Sequence, residues 1–214
     1  MFIELVDSLR CLKPHEDSWL VAAVERFEGR FIDRGSLGCP VCHAQYRIER
    51  GAVDFRPPDA AGERPADDLV EAPGGEEVLR ARALLNLTGG GGTIVLTGAA
   101  AAFASPLEDE TEVNVLLVNP PRVTEQQAGR STLLVDGRVP LARGSVRGAL
   151  LGEDQSGGAI IADLAHALRA GGRLVAPVAA PLPAGLHELA RDGRQWVAEK
   201  REGAPGLVTI GTRR

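Results

Sequence analysis

The chain has few cysteines and few aromatic residues for its 214 residues, and it contains no long apolar run. It has 3 cysteines, 1 methionine and 4% aromatic residues. No apolar stretch approaches the roughly 20 residues that a membrane-spanning helix needs. The first residues, MFIELVDSLRC, carry acids and lack the basic and apolar regions of a secretory signal peptide. We therefore expect a cytoplasmic protein without a membrane span.

The chain also lacks an excess of positive charge. Its 24 Lys and Arg residues stand against 29 Asp and Glu residues, which gives a net charge of −5. Because phosphate contacts need clustered basic side chains, this balance argues against a broad nucleic-acid-binding surface. The sequence also has no Gly-x-Ser-x-Gly elbow, Walker loop or His-Glu-x-x-His pattern, and we predict no catalytic residues.

All of the cysteines lie within the first 42 residues. This asymmetry, together with a length suited to one ordinary domain and a small second one, predicts two units. We assign residues 1–57 to a small β unit, residues 58–75 to a linker rich in Pro, Ala, Gly and acids, and residues 76–214 to a second domain. In the first unit, apolar runs on either side of Glu28-Gly29 predict a hairpin.

Two pairs of ligand-type residues stand out in the first unit. Cys11 and His15 form a C-x3-H pair, and Cys39 and Cys42 form a C-x2-C pair. Such spacing lets both members of a pair reach one tetrahedral ion, and four protein ligands leave no open position for water. We therefore predict a structural zinc site, with His43 as the alternative fourth ligand.

The second domain alternates strand and helix patterns, which predicts a parallel sheet covered on both faces. The expected helices cover residues 76–87, 99–111, 156–170 and 185–193. We expect the strand 195–201 to form a closing antiparallel hairpin with residues 207–214. The predicted fold class is α/β, with a zinc-ribbon-like β unit followed by a Rossmann-like, mostly parallel sheet.

A run of four glycines, Gly89 to Gly92, directly precedes the first predicted strand of this sheet. A cofactor loop in such a sheet follows the strand and does not precede it. The run therefore belongs to the helix-to-strand connection, at the opposite edge from any cofactor.

The first unit resembles a known family. The stretches Leu9–Cys11, Cys39–Cys42 and Tyr46–Phe55 resemble the small zinc-ribbon activator proteins of tRNA, rRNA and protein methyltransferases. The sequence departs from that family where His15 replaces a cysteine and Arg47 replaces a proline. The resemblance implies a protein partner, either a methyltransferase or a larger assembly.

The second domain resembles the class I S-adenosylmethionine-dependent methyltransferases, chiefly through Val139–Glu153 and Leu168–Val178. That resemblance implies a cofactor bound at the turn after the first strand and at the ends of the next two strands. The positions that would contact S-adenosylmethionine in this chain are Gly98, Asn119 and Asp136.

Several positions depart from the methyltransferase pattern. Ala99, Ala101 and Phe103 stand where glycines are expected, and Asn119 and Arg147 stand where acids are expected. These changes argue that the fold has been kept while cofactor binding has been lost. We predict a non-catalytic binding, scaffolding or activator subunit. The alternatives are an active methyltransferase on RNA or a small molecule, and an interaction module of a larger assembly.

Overall fold

The structure is a computed structural model, and it describes residues 1–57, 71–121 and 130–201. Its strands are β1 Val21–Glu28, β2 Phe31–Gly38, β3 Gln45–Glu49, β4 Ala52–Asp54, β5 Thr93–Thr97, β6 Asn114–Val118, β7 Ser131–Leu134, β8 Val146–Leu151, β9 Leu168–Pro177, β10 Leu186–Arg191 and β11 Gln195–Lys200. Within the described residues they form one sheet in the order β1-β2-β3-β4-β7-β6-β5-β8-β9-β11-β10.

The helices are short and lie mostly between the parallel strands. They are α1 Ile3–Val6, α2 Gly75–Leu84, a 3-10 helix Gly98–Phe103 that continues into α3 Ala104–Glu110, a 3-10 turn Glu153–Gln155, and α4 Gly158–Ala167. The helix expected to end at Gly171 ends at Ala167, because the chain from Leu168 onward already pairs with β8. No helix in the described ranges is long and apolar enough to span a bilayer.

The centre of the sheet is parallel. The strands β7, β6, β5, β8 and β9 are neighbours in that order, and each adjacent pair is parallel. The order reverses between β5 and β8, as in doubly wound α/β sheets, whose ligands bind at the carboxyl ends of the strands beside such a reversal. The predicted α/β class with a Rossmann-like centre is confirmed.

The first four strands are antiparallel, and β4 joins them to the parallel centre. Within β1 and β2, the hairpin predicted at Glu28-Gly29 is present, and Gly29 has the positive φ of 62° that the turn requires. Strand β4 then pairs in parallel with β7, matching Val53 with Leu133. Phe55 continues this ladder by donating its N–H to the carbonyl of Leu134 at 2.8 Å. Buried residues from both parts belong to one hydrophobic core.

One predicted helix is wrong, because residues 186–191 form strand β10. This strand pairs with β11 through a tight turn in which the Asp192 carboxylate accepts N–H groups from Arg194 and Gln195, at 2.8 and 2.9 Å. So short an isolated helix is marginal, whereas the edge of β11 supplies backbone partners for a strand. Strand β11 pairs with β9 on its other edge. The closing hairpin is therefore formed by β10 and β11, because both neighbours of β11 in the described sheet precede it in sequence. Residues 207–214 lie outside the described residues.

The glycine run encloses a buried arginine. The Arg147 side chain extends from β8, and its guanidinium donates to the carbonyls of Asn86 at 2.9 Å, Gly91 at 3.0 Å and Gly89. Gly91 and Gly92 have φ values of 80° and 85°, which glycine adopts without strain. These glycines thus let the chain turn its carbonyl oxygens inward around the cation.

Replacing Arg147 with methionine should destabilise the protein while keeping an unbranched stem in the same space. The carbonyls of Asn86, Gly89 and Gly91 would lose their charged donor, which costs about 1–3 kcal/mol of unfolding free energy. Urea unfolding followed by the fluorescence of the buried Trp196 measures this loss. The exposed Arg169→Met variant is the control and should unfold like the wild type. An unchanged midpoint for Arg147→Met would contradict the structural role of the carbonyl cradle.

Candidate functional site

A tight turn between β2 and β3 holds the second ligand-type pair. Cys39 donates its N–H to the carbonyl of Ala44 at 2.9 Å, and its own carbonyl accepts the N–H of His43 at 3.0 Å. These bonds close the turn around Cys42. His43 adopts a positive φ of 59°, and its side chain does not join the ligand cluster described next.

The first pair lies in the loop before β1, and this loop folds onto the turn. The N–H of Cys11 donates to the carbonyl of Ser18 at 2.9 Å, which closes the loop around His15. As a result, the ligand atoms of four side chains lie within 4.8 Å of one another. These side chains are Cys11, His15, Cys39 and Cys42.

The spacing of the ligand atoms fits a tetrahedral ion. The sulfurs of Cys11 and Cys42 are 3.7 Å apart, and the sulfur of Cys39 is 3.4 Å from Nε2 of His15. Tetrahedral zinc with bonds of about 2.3 Å to sulfur and 2.0 Å to nitrogen requires about 3.8 Å between two sulfurs and about 3.5 Å between sulfur and nitrogen. A disulfide would instead require about 2.05 Å between sulfurs. Nδ1 of His15 lies 2.5 Å from the carbonyl of Glu16, a contact that orients Nε2 toward the cluster.

Two thiols of the cluster, those of Cys39 and Cys11, differ in acidity. Desolvation opposes ionisation of Cys39, but hydrogen bonds from the backbone N–H groups of Cys42 and Val41 outweigh it and lower its pKa to about 6. Desolvation raises the pKa of Cys11 to about 11. Cys39 is therefore ready to ligate as a thiolate at neutral pH, whereas a cation would have to displace the proton of Cys11.

The turn after β5, where a cofactor would be expected, is occupied by a side chain from the loop after β8. The Asp154 carboxylate accepts the N–H of Ala99 at 3.1 Å and lies directly against the α-carbon of Gly98. Gly152 donates its N–H to the carbonyl of Thr97 at 3.1 Å. These contacts bring the two loops together at the point where the strand order reverses.

Asn119 and Asp136 follow β6 and β7, so the structure places them at the same edge as Gly98. The Asn119 side chain accepts the N–H of Val135 at 2.8 Å and donates to the Val135 carbonyl at 3.1 Å and to Oε1 of Gln155 at 2.9 Å. Both amide hydrogens of Asn119 are thus engaged in holding loops together. Asp136 is exposed to solvent.

A cavity of about 300 Å³ lies beside this edge, between α2 and the carboxyl ends of β8 and β9. Its lining is apolar at Leu84, Ala100 and Phe103, and it carries Arg80 and Arg194. The volume falls at the lower end of the range for small-molecule sites.

From the sequence, Asp154 is an acid near a strand end, where active-site residues of open α/β sheets gather, but a solvated loop acid is the favoured interpretation, and Gln155 is given no part in the candidate cofactor site. The signal that could have identified them is their position directly after β8, next to the reversal of strand order. Loop acids at strand ends are usually solvated, and only the folded chain shows which N–H group this carboxylate meets.

The contact between Gly98 and Asp154 can be tested with alanine. Gly98→Ala should destabilise the protein both through its φ of 52° and through a clash of the new methyl group with the carboxylate. Gly137→Ala is the matched control, since Gly137 has a φ of 74° with open space around it. Urea unfolding should show a loss at least about 1 kcal/mol larger for Gly98→Ala than for Gly137→Ala, because the latter carries only the backbone cost. Adding Asp154→Ala should remove that excess, and equal losses at the two glycines would contradict the contact.

No protein-family model matches the chain, and no curated protein matches it. Solved structures similar to it include a proposed methyltransferase of an antibiotic biosynthesis pathway from Anabaena variabilis, with 19% identity and a TM-score of 0.41 over 51% of this chain and 47% of that one. A second is a methyltransferase from Thiobacillus denitrificans solved with S-adenosyl-L-homocysteine, with 17% identity and a TM-score of 0.40 over 58% and 56%. A third is a proposed S-adenosyl-L-methionine-dependent methyltransferase from Methanococcus maripaludis, with 8% identity and a TM-score of 0.43 over 60% and 86%.

The chain spans about half the length of the first two of these proteins. This protein has an α/β fold with a mixed central sheet, as its own strand order shows.

Proposed function

We propose that this chain is a zinc-stabilised, methyltransferase-like protein that does not transfer methyl groups and that acts as a binding or scaffolding subunit. The observation that carries the proposal is the Asp154 carboxylate at the turn after β5. In a doubly wound sheet, that turn presents backbone N–H groups and free space to an anionic ligand.

The chain's own Asp154 uses both a backbone N–H group and part of the space at this turn. The N–H of Ala99 already donates to Asp154, and the same carboxylate occupies the space next to Gly98. An incoming amino-acid moiety would also bring a carboxylate, so it would have to displace Asp154 from an equivalent position. Phe103 adds an aromatic ring at the end of the same 3-10 helix.

The position expected to contact a ribose is occupied in a similar way. Asn119 uses both amide hydrogens, one on Val135 and one on Gln155. A ribose hydroxyl would therefore find no free donor on this side chain, and Oδ1, the acceptor that would replace a carboxylate, already accepts the N–H of Val135. The residues at this edge are thus a poor fit to S-adenosylmethionine.

The Cys/His cluster fits a structural zinc ion. Four side chains converge at distances suited to a tetrahedral ion, which leaves no ligand position open for water or substrate. The ion would tie the loop between Cys11 and Ser18 to the turn between β2 and β3. Zinc would thus stabilise a four-stranded unit whose own core is small.

The pairing of the first four strands with the parallel sheet indicates which surface is left for a protein partner. In the family that the first unit resembles, the ribbon covers an apolar edge of a methyltransferase. Here β4 pairs with β7 of the chain's own sheet, so one such edge is covered within the chain. The outer strand β1 exposes Val21 and Phe27, and these residues support a protein partner at that side.

A second candidate is an active methyltransferase on RNA or a small molecule. The cavity of about 300 Å³ beside Ala99 and Phe103 favours this alternative, since it offers space next to the reversal of strand order. Titration with S-adenosylmethionine distinguishes the two proposals.

Isothermal titration of the wild-type protein with S-adenosylmethionine should show no binding at concentrations up to about 100 μM, because the site is filled by Asp154. Micromolar binding by the wild type would overturn the non-catalytic proposal. In that case, Asp136→Ala should weaken binding if Asp136 contacts the cofactor. Asp154→Ala tests the occlusion itself, because any binding gained only in this variant assigns the block to the carboxylate.

The zinc proposal predicts a difference between two neighbouring histidines. Purified wild-type protein should contain one equivalent of zinc, and His15→Ala should lose most of it, because three ligands bind structural zinc much less tightly than four. His43→Ala is the control and should retain the metal, since His43 lies outside the cluster. Zinc is measured by a colorimetric chelator after denaturation. Loss of zinc from His43→Ala with retention in His15→Ala would reverse the ligand assignment.

A further inference from the structure

A second cavity, of about 380 Å³, lies between the loop that carries the metal ligands and the segment 138–143 of the Rossmann-like part. Backbone hydrogen bonds fix the two walls to each other. Arg10 donates its N–H to the carbonyl of Pro140 at 2.9 Å, and Ala142 donates to the carbonyl of Ser8 at 2.7 Å. The cavity is therefore built into the fold, and its volume lies within the range of small-ligand sites.

An exposed and immobilised indole lines this cavity. Trp19 is 53% exposed, yet its Nε1 donates to the carbonyl of Asp7 at 3.1 Å. The guanidinium of Arg10 lies over the Trp19 ring, 3.8 Å from its centre, so a base would have to stack on the opposite face; Nε of Arg10 is held by the Asp17 carboxylate at 2.8 Å. A rigid exposed aromatic face beside a guanidinium is the type of surface on which nucleic-acid bases stack.

Positive charge collects on the opposite wall of the cavity. Arg138 pairs with Asp163 at 2.7 Å, whereas no carboxylate within the described ranges pairs with Arg143. Lys200 lies nearby and donates to the carbonyl of His166 at 2.7 Å, and its pKa is lowered by burial and by the charge of Arg143. The lining thus holds Arg10, Arg138 and Arg143 against Asp17 and Asp163, which leaves one arginine in excess in a chain with a net charge of −5.

We propose that this cavity binds a nucleotide, with the base stacked on Trp19 and the phosphate bound by Arg143. Asp17 and Asp163 are already paired with Arg10 and Arg138, so Arg143 is the cation left for a phosphate. The shared ligand chemistry is an aromatic base next to a phosphate. It can come from a free mononucleotide or from one nucleotide of a single strand.

Two observations favour a nucleotide over other anions. An inorganic anion would leave the exposed Trp19 ring without a role, whereas a base would cover it. The balance of charge over the whole chain argues against a broad nucleic-acid-binding surface, but one stacking position and one free arginine suit a single nucleotide. This site is separate from the edge at Gly98 and does not depend on whether S-adenosylmethionine binds there.

Binding can be measured by isothermal titration with adenosine monophosphate, adenosine and inorganic phosphate, and by fluorescence anisotropy with a labelled single-stranded oligoadenylate. We expect the monophosphate to bind at least about tenfold more tightly than adenosine or phosphate, because only it uses both contacts. Tighter binding of the oligonucleotide assigns the site to single strands, and equal binding assigns it to free nucleotides. Equal affinity for phosphate and adenosine monophosphate, or no binding of any probe at millimolar concentration, overturns the proposal.

Variants test the two contacts separately. Trp19→Ala should weaken binding about tenfold or more, whereas Trp19→Phe should retain most of it through stacking. Arg143→Ala should weaken binding and reduce the salt slope for the oligonucleotide by about 0.7, as expected for the loss of one phosphate contact to a single strand. Arg194→Ala, an exposed arginine at the other cavity, is the control and should bind like the wild type.

Zinc content reports whether each variant keeps the metal loop folded. Unchanged binding in both Trp19→Ala and Arg143→Ala, with zinc retained, would exclude this cavity. Asp154→Ala should leave nucleotide binding unchanged, so that a failure here is distinguishable from a failure of the proposed function.

Discussion

The parallel pairing of β4 with β7 connects the two parts of this protein. Through Val53 and Leu133, the antiparallel strands of the first 57 residues continue the hydrogen-bond ladder of the parallel centre. Buried side chains from both parts then pack into one core. A small unit that lacks a large core of its own is thereby stabilised by the larger sheet as well as by any metal it binds.

The same pairing determines which segments face each other. Because the first unit lies against the β7 side of the sheet, its loop at Cys11 meets the segment after β7 and encloses the cavity at Trp19. At the carboxyl ends of β5 and β8, the Asp154 carboxylate accepts the N–H of Ala99, and a cavity of about 300 Å³ lies beside this contact. The chain thus keeps the sheet order of a ligand-binding α/β fold, and one of its own side chains contacts the turn after β5.

The sequence predictions were right where the interacting residues are close in sequence, and they failed where the partner is another strand. The four metal-type ligands could be selected because each pair is local, and one turn or loop holds both members. The hairpin at Gly29 was predictable for the same reason. The strand over 186–191 was missed because its partner β11 decides its conformation, and a helical pattern in nine residues is weak support without packing.

The positions of Gly98, Asn119 and Asp136 at one edge followed from the alternation of strands and helices, since the carboxyl ends of parallel strands share an edge. Which side chains contact the backbone near that edge could be seen only in the tertiary structure. Asp154 and Arg147 lie about 55 residues or more from the backbone groups that they meet. Sequence alone determined the two ligand pairs, the α/β class and the missing glycines, because these are local patterns. Only the folded chain decided that the Asp154 carboxylate contacts the turn after β5 and that the glycine run holds an arginine, because such contacts join distant segments.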